Sequence, residues 1–282
     1  EFDNWYTFRM HSDLSTLFKK LNQGTTTPRM PVMFVGHGSP MNAIELNRFT
    51  KDWQKVGAQL PKPQAIVVIS AHWQTYGTHV TSAPKQPLIY DMYGFPDELY
   101  RFSYSADGDP VLAKLLAKKL EVYEAKLDSQ WGLDHGTWSV LAHIAPTPEV
   151  PVLQISLDMR LSLAEQAELF EQLIPLRKKG VLFIGSGNIV HNLRQANFAM
   201  TDTGYDWGLE FDHFASRAIE GRNLKLLTNV QGMNSYKLSA PTDEHYRPLL
   251  AVMALAGKEG DLSFFAEGMA YGSISMRSLI VQ

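Results

Sequence analysis

A chain of 282 residues, 45% of them hydrophobic, has enough apolar material for a sizeable core, and its length admits one large domain or two small ones. Its net charge is −3 and its basic residues are scattered, which argues against a nucleic-acid groove or a membrane-surface helix, and no apolar run reaches the roughly 18 residues needed to cross a bilayer. The lack of cysteine excludes disulfides, thiolate nucleophiles and Cys-ligated zinc or iron–sulfur sites, so any metal must be held through nitrogen and oxygen.

Residues 1–29 lack the apolar centre of a signal peptide and end in a polar Thr/Pro stretch. They are expected to be an N-terminal extension or the remnant of a leader, in a protein otherwise expected in the cytoplasm, with residues 30–282 forming the domain. From there, short apolar runs alternate with longer helical patterns. Strands are expected at 31–35 (PVMFV), 65–70 (AIVVIS), 150–157 (VPVLQISL) and 180–186 (GVLFIGS), each apolar on consecutive residues as in strands covered on both faces. Helices are expected at about 45–60, 109–125, 162–178 and 208–220, then after APTDEH, and YGSISMRSLIV closes the chain as a strand. The alternation indicates the α/β class: a single three-layer domain with a mostly parallel central sheet flanked by helices. No internal repeat or low-complexity tract interrupts it. The long stretch at 82–100 reads as a site-forming loop rather than a connector.

Nine histidines carry the functional argument. His37 follows the first strand between Gly36 and Gly38, and His72 follows the second. Ligands of open α/β sheets bind beyond the carboxyl ends of the strands, so these two histidines should share one rim. A hydrogen-bonded loop histidine is the plain alternative at either position, and repetition at equivalent places weakens it. GVLFIGSGNIVHNL repeats the pattern with a strand, a turn allowed by Gly185 and Gly187, and a segment with His191 expected to open a helix capped by Asn188. His245 falls where Thr242 is expected to cap the last helix, and a capping-region role beside Asp243 and Glu244 competes there. His135, beside Asp134 in a Gly-flanked loop between tryptophans, reads equally as a pocket or a core residue. His11, His79, His143 and His213 read as ordinary surface or helix residues. Gly36 and Gly38 are expected to strip bulk from both sides of the His37 ring so that metal, substrate and backbone approach closely. An imidazole-rich rim without thiolates suits Fe(II), Zn(II), Cu(II) or Ni(II).

MPVMFVGHGSPMNA, PQAIVVISAHW, WGLDHGTWSVL, GSGNIVHNL and PTDEHYRPLL, in that order, resemble the class III (LigB-type) extradiol ring-cleavage dioxygenases, within them the 4,5-DOPA dioxygenase subgroup, from about residue 30 to the C-terminus. The resemblance implies one divalent metal ion per chain at the carboxyl ends of the strands, Fe(II) for activity or Zn(II) as bound. It implies a small-molecule catechol and O2 as partners, with no nucleic acid and no membrane. Block by block, His37, His72 and His245 match metal ligands. His191 matches a position that is a ligand in the zinc-bound subgroup and a base in protocatechuate-cleaving relatives. His135 matches a pocket histidine behind the ligands. Those relatives use a glutamate as third ligand where this chain offers His245 preceded by Glu244.

The implied reaction is oxygen-dependent opening of a catechol ring beside its hydroxyls, with His191 taking a catechol proton and His135 donating to the oxygen. Trp73, Trp138 and Tyr246, neighbours of these histidines in sequence, are expected to wall the ring pocket. Two other readings compete: a zinc hydrolase using metal-bound water, and a catalytically silent metal-binding relative on the same fold. Against the hydrolase stands coordination, since four histidines close a tetrahedral zinc.

Overall fold

The computed structural model describes residues 29–282; the expected extension at 1–29, apart from Arg29, and His11 lie outside the described residues. Six strands build the main sheet: β1 (Val32–Gly36), β2 (Ala65–Ser70), β3 (Val152–Gln154), β4 (Val181–Gly187), β5 (Leu262–Phe265) and β6 (Ser278–Val281). Their order is β3-β2-β4-β1-β6-β5. The first four run parallel, β6 enters antiparallel to β1, and β5 lies antiparallel to β6.

β1, β2 and β4 are buried at every residue, and this is why they read as unbroken apolar runs. Alternate side chains go to opposite faces. Val32 and Phe34 join Phe183, Phe211 and Leu249 in one core, while Met33 and Val35 join Ile184, Trp53 and Trp138 in another. The second core is covered by α1 (Arg48–Gly57) and α3 (His135–Ile144). The first is covered by α2 (Pro110–Lys119), α4 (Leu163–Glu171), α5 (Asp206–Glu220) and α6 (Arg247–Ala256). The helix α6 is buried at all ten residues, packed between the sheet and α4. The result is the expected three-layer α/β domain.

Element boundaries differ where tertiary pairing overrides local pattern. The run expected over 150–157 divides, Val152–Gln154 joining the main sheet and Leu157–Asp158 pairing with Gln74–Thr75 elsewhere. The helix expected over 162–178 stops after Glu171 and resumes as Ile174–Arg177, where Pro175 cannot donate to the preceding turn. The closing stretch gives Ile274–Ser275 to a small ladder before Ser278–Val281 reaches the main sheet.

Three local expectations around the histidines are corrected. His135 does not sit in a loop but opens α3, with the Asp134 carboxylate accepting from the Thr137 N–H at 3.1 Å. No helix follows β4 at His191. The N–H groups of Asn188, His191 and Asn192 donate instead to the carbonyls of His245, Ser239 and Ser273, and the segment bends without helix until a short 3-10 turn at Leu193–Gln195. Thr242 does not cap the last helix; its hydroxyl bonds Glu244, and α6 starts later, at Arg247 with Pro248 in its first turn.

Candidate metal centre

Parallel register brings the strand ends level. Gly36 lies opposite Gly187 and Ser70 opposite Ser186, so β1, β2 and β4 leave the sheet along one edge. His37 stands immediately beyond β1, and His72 stands two residues beyond β2. His245 arrives from the other side, its carbonyl accepting the Asn188 N–H at 2.8 Å just past β4. The three rings form a nearly equilateral triangle, with centroid separations of 5.1, 5.2 and 5.0 Å.

The bareness around His37 allows the close backbone approach expected of it. A Cβ on Gly36 would lie 2.8 Å from the Met276 backbone, and Gly38 combines a φ of +62° with a would-be Cβ 2.6 Å from Met276 Sδ. The glycines let Met276 pack directly against the chain on both sides of His37.

Each ring of the triangle is held the same way. His37 Nδ1 lies 3.0 Å from Ser186 Oγ, and Ser186 spends its own proton on the Gly136 carbonyl at 2.5 Å. The hydroxyl therefore accepts from His37 Nδ1–H. His72 Nδ1 pairs with Asp91 Oδ2 at 3.2 Å, and His245 Nδ1 with Glu244 Oε1 at 2.9 Å. With the protons on Nδ1, all three Nε2 atoms keep their lone pairs. His72 Nε2 and His37 Nε2 face each other at 3.2 Å, and His245 Nε2 is buried with no protein partner. Imidazoles whose other nitrogen is tied to oxygen are how proteins aim metal ligands. His37, His72 and His245 offer atoms that all lie within 4.8 Å of one another. The donor set fits one divalent ion held by nitrogen.

His191 and His135 flank this triangle. His191 stacks on His245 with centroids 3.4 Å apart and planes 8° apart, and its ring atoms fall outside the set that includes His37 and His72. His135 lies 3.8 Å from His72 by ring centroid. Its Nδ1 is 2.9 Å from Asp91 Oδ1 but not aligned as a hydrogen bond, and the same oxygen accepts the His135 backbone N–H at 2.9 Å. Asp91 thus caps the start of α3 while touching two rings. Beneath them, Asp134 accepts from Ser70 at 2.6 Å and from Gln154 at 2.8 Å, locking α3 to β2 and β3.

The electrostatics disfavour protonation of four of these imidazoles. Burial, followed by repulsion from neighbouring histidines, holds His37 and His245 well below the usual imidazole range. Burial and His72 also lower His135, and burial with repulsion from His72 and His135 brings His191 down to about 3. Burial pushes the Asp91 carboxyl up, but its pairings with His135 and His72 outweigh this and hold it far below the carboxylate range.

A cavity of about 870 Å³ opens above the rings. Its walls include Tyr93, Phe95, Phe198 and Tyr271. Trp73, Trp138 and Tyr246 do not line it. Trp73 stacks on Trp131, Trp138 donates to the Ile89 carbonyl and stacks on Phe102, and the Tyr246 hydroxyl donates to Leu227 within the first core. Adjacency in sequence misled for Trp73 and Tyr246 because a residue beside a rim histidine turns away from the rim, whereas Trp138 is drawn into the second core by the packing of α3. Asp91 and Ser186 were passed over as individual residues, although Asp91 lies in the stretch at 82–100 and Ser186 within the GSGN turn. His79 is partly exposed and His213 exposed, and His143 is bonded to the Asn42 carbonyl at 2.6 Å.

An α/β domain with nitrogen donors converging at its strand ends defines a metal-binding class, and comparison with known proteins narrows it. Residues 25–279 match the family model described as the catalytic LigB subunit of aromatic ring-opening dioxygenase. The 4,5-DOPA dioxygenase extradiol of Escherichia coli (strain K12) is 39% identical over 94% of this chain and 99% of its own. The protein of the same description from Beta vulgaris is 33% identical over 87% of this chain and 96% of its own. A crystal structure of an uncharacterized Escherichia coli K12 protein superposes with a TM-score of 0.79 at 37% identity, covering 90% of this chain and all of the other. The chain belongs to the LigB family of aromatic ring-opening dioxygenases, and it is an enzyme of the extradiol type. Membership implies a metal ion, a small-molecule substrate and O2. No helix among the described residues is long and apolar enough to cross a membrane.

Proposed function

We propose that the enzyme opens the ring of a DOPA-like catechol with O2, using one Fe(II) ion held by the Nε2 atoms of His37, His72 and His245. The observation that carries this reading is the shared arrangement of those rings, each with Nδ1 tied to an oxygen and Nε2 aimed into a common space. The relatives named for 4,5-DOPA cleavage support the substrate class. When bound, the ion supplies Lewis acidity and a template that brings substrate and O2 together.

This chain's own residues do the rest. Three imidazole ligands, neutral when bound to a metal, would leave a bound ion's charge uncompensated, which would favour an anionic catecholate over neutral ligands. His191 is unprotonated and lines the cavity, so it is available to accept a catechol proton. Held at about 3 without ligand, it is a weak base, and a catecholate beside it raises its proton affinity. His135, whose Nδ1 faces the Asp91 carboxylate at 2.9 Å, would donate to oxygen only after taking up a second proton on Nε2, with Asp91 balancing the charge. The aromatic walls pack the ring and exclude water. Three ligands, unlike four, would leave zinc an open position, so coordination alone no longer speaks against a hydrolase. The family relationship supports the dioxygenase over both the hydrolase and the silent relative.

Anaerobic loading with Fe(II), followed by DOPA and air, tests the proposal. One O2 consumed per ring opened, with a yellow product, is the expected result. Ester cleavage by the zinc-loaded protein without O2 uptake by the iron-loaded form would overturn it.

A further inference from the structure

Three charged side chains besides the histidines line the cavity: Asp91, Glu244 and Arg194. The two acids are committed. Asp91 pairs with His72 and His135, and Glu244 accepts from Thr242 at 3.1 Å and pairs with His245. Arg194 is different. Among the described residues its guanidinium has no hydrogen bond and no ion pair, while most other arginines are tied to carbonyls or carboxylates, as Arg177 and Arg277 are.

Its position is fixed by the departure from the expected helix after β4. Because the backbone at 188–192 bends without forming a helix, the 3-10 turn Leu193–Gln195 places Arg194 at the cavity wall, three residues beyond His191. Exposed apolar residues share the cavity wall with it. Leu193 is 63% exposed, Phe198 76% and Tyr93 92%, and all three line the same cavity. An uncommitted guanidinium among exposed aromatic faces is a receptor for a planar anion attached to an apolar body.

We infer that Arg194 binds the carboxylate of the substrate's side chain, so that the enzyme selects catechols carrying an anionic side chain over uncharged ones of the same size. The inference rests on the catechol reading for the other end of the ligand. Arg194 is a specificity residue with no part in proton transfer, so its removal lowers affinity for one class of substrate and leaves the chemistry of the other intact.

Two catechols that differ in the carboxylate, 3-(3,4-dihydroxyphenyl)propionate and 4-ethylcatechol, provide the test. Binding to the zinc-loaded protein is titrated by tryptophan fluorescence, and O2 uptake is followed in the Fe(II)-loaded protein. Wild type should prefer the carboxylate, and Arg194→Ala should lose that preference by roughly five- to thirty-fold, the range of a partly solvated charge-assisted contact. Arg194→Lys should restore part of it, and kcat/KM for 4-ethylcatechol should stay within about twofold. A preference that survives in Arg194→Ala overturns the inference, as does equal affinity of wild type for the two compounds, absence of binding included. A preference that collapses in the titration with no O2 uptake from either compound upholds the role of Arg194 and rejects the dioxygenase reading instead.

Discussion

Asp91 shows how much one side chain can organise. Its carboxylate receives the first N–H of α3 at 2.9 Å, pairs with His72 at 3.2 Å and touches His135 at 2.9 Å. Held ionised by those pairings, it keeps the His72 proton on Nδ1 and leaves Nε2 bare. Asp91→Asn removes the charge and keeps the shape. Zinc affinity, measured by competition with a chromogenic chelator, should fall about 10- to 100-fold. Unchanged affinity would mean that packing alone orients His72. The other residues of this kind are equally local, since Ser186 for His37 and Glu244 for His245 each settle one tautomer.

Elements bring these residues together, and here the sequence was informative in some places and silent in others. Four parallel strands were legible because burial on both faces leaves an unbroken apolar run, and the histidines beyond β1 and β2 followed from the strand ends. The helix α3 was missed because its start at His135 resembles a Gly-flanked loop, although Asp134 caps Thr137. The helix expected at His191 failed because its N–H groups find carbonyls at 239, 245 and 273, partners that no local pattern reveals. Asp91 was invisible for a related reason. Nothing near it in sequence says that a loop carboxylate will meet rings at 72 and 135. Close contact between elements also fixes His245. A Cβ on Gly187 would lie 2.2 Å from the His245 carbonyl oxygen and 3.2 Å from Pro248 Cγ, so Gly187→Ala must push the start of α6 off the end of β4. Overpacking of this sort costs about 1–3 kcal/mol. Both melting temperature and bound metal should drop, whereas Gly232→Ala, where the added Cβ meets nothing within 4 Å, should change neither. Normal metal content in Gly187→Ala would show that His245 does not depend on that contact.

At the scale of the whole molecule, the site is a burden on the metal-free fold. Four buried or part-buried imidazoles have their pKa values lowered by burial and by one another, so the folded chain refuses protons that the unfolded chain accepts. Stability linked to these groups is complete above the unfolded value of 6.5 and is lost as pH falls below it, down to each lowered value. For His191 that window runs from 6.5 to about 3, and by pH 5 its share of the loss is about 2 kcal/mol. Asp91 acts later, because a carboxyl lowered in the folded state gives up its contribution only below the ordinary value of 3.8. The histidine effect is therefore isolated between pH 7.5 and 5. Thermal unfolding of the chelator-treated protein should show the melting temperature falling across that range, and His191→Asn, which has no proton to gain, should fall less steeply. A flat wild-type profile would mean that the imidazoles already take up protons in the folded state, at odds with a cluster kept neutral to receive a cation.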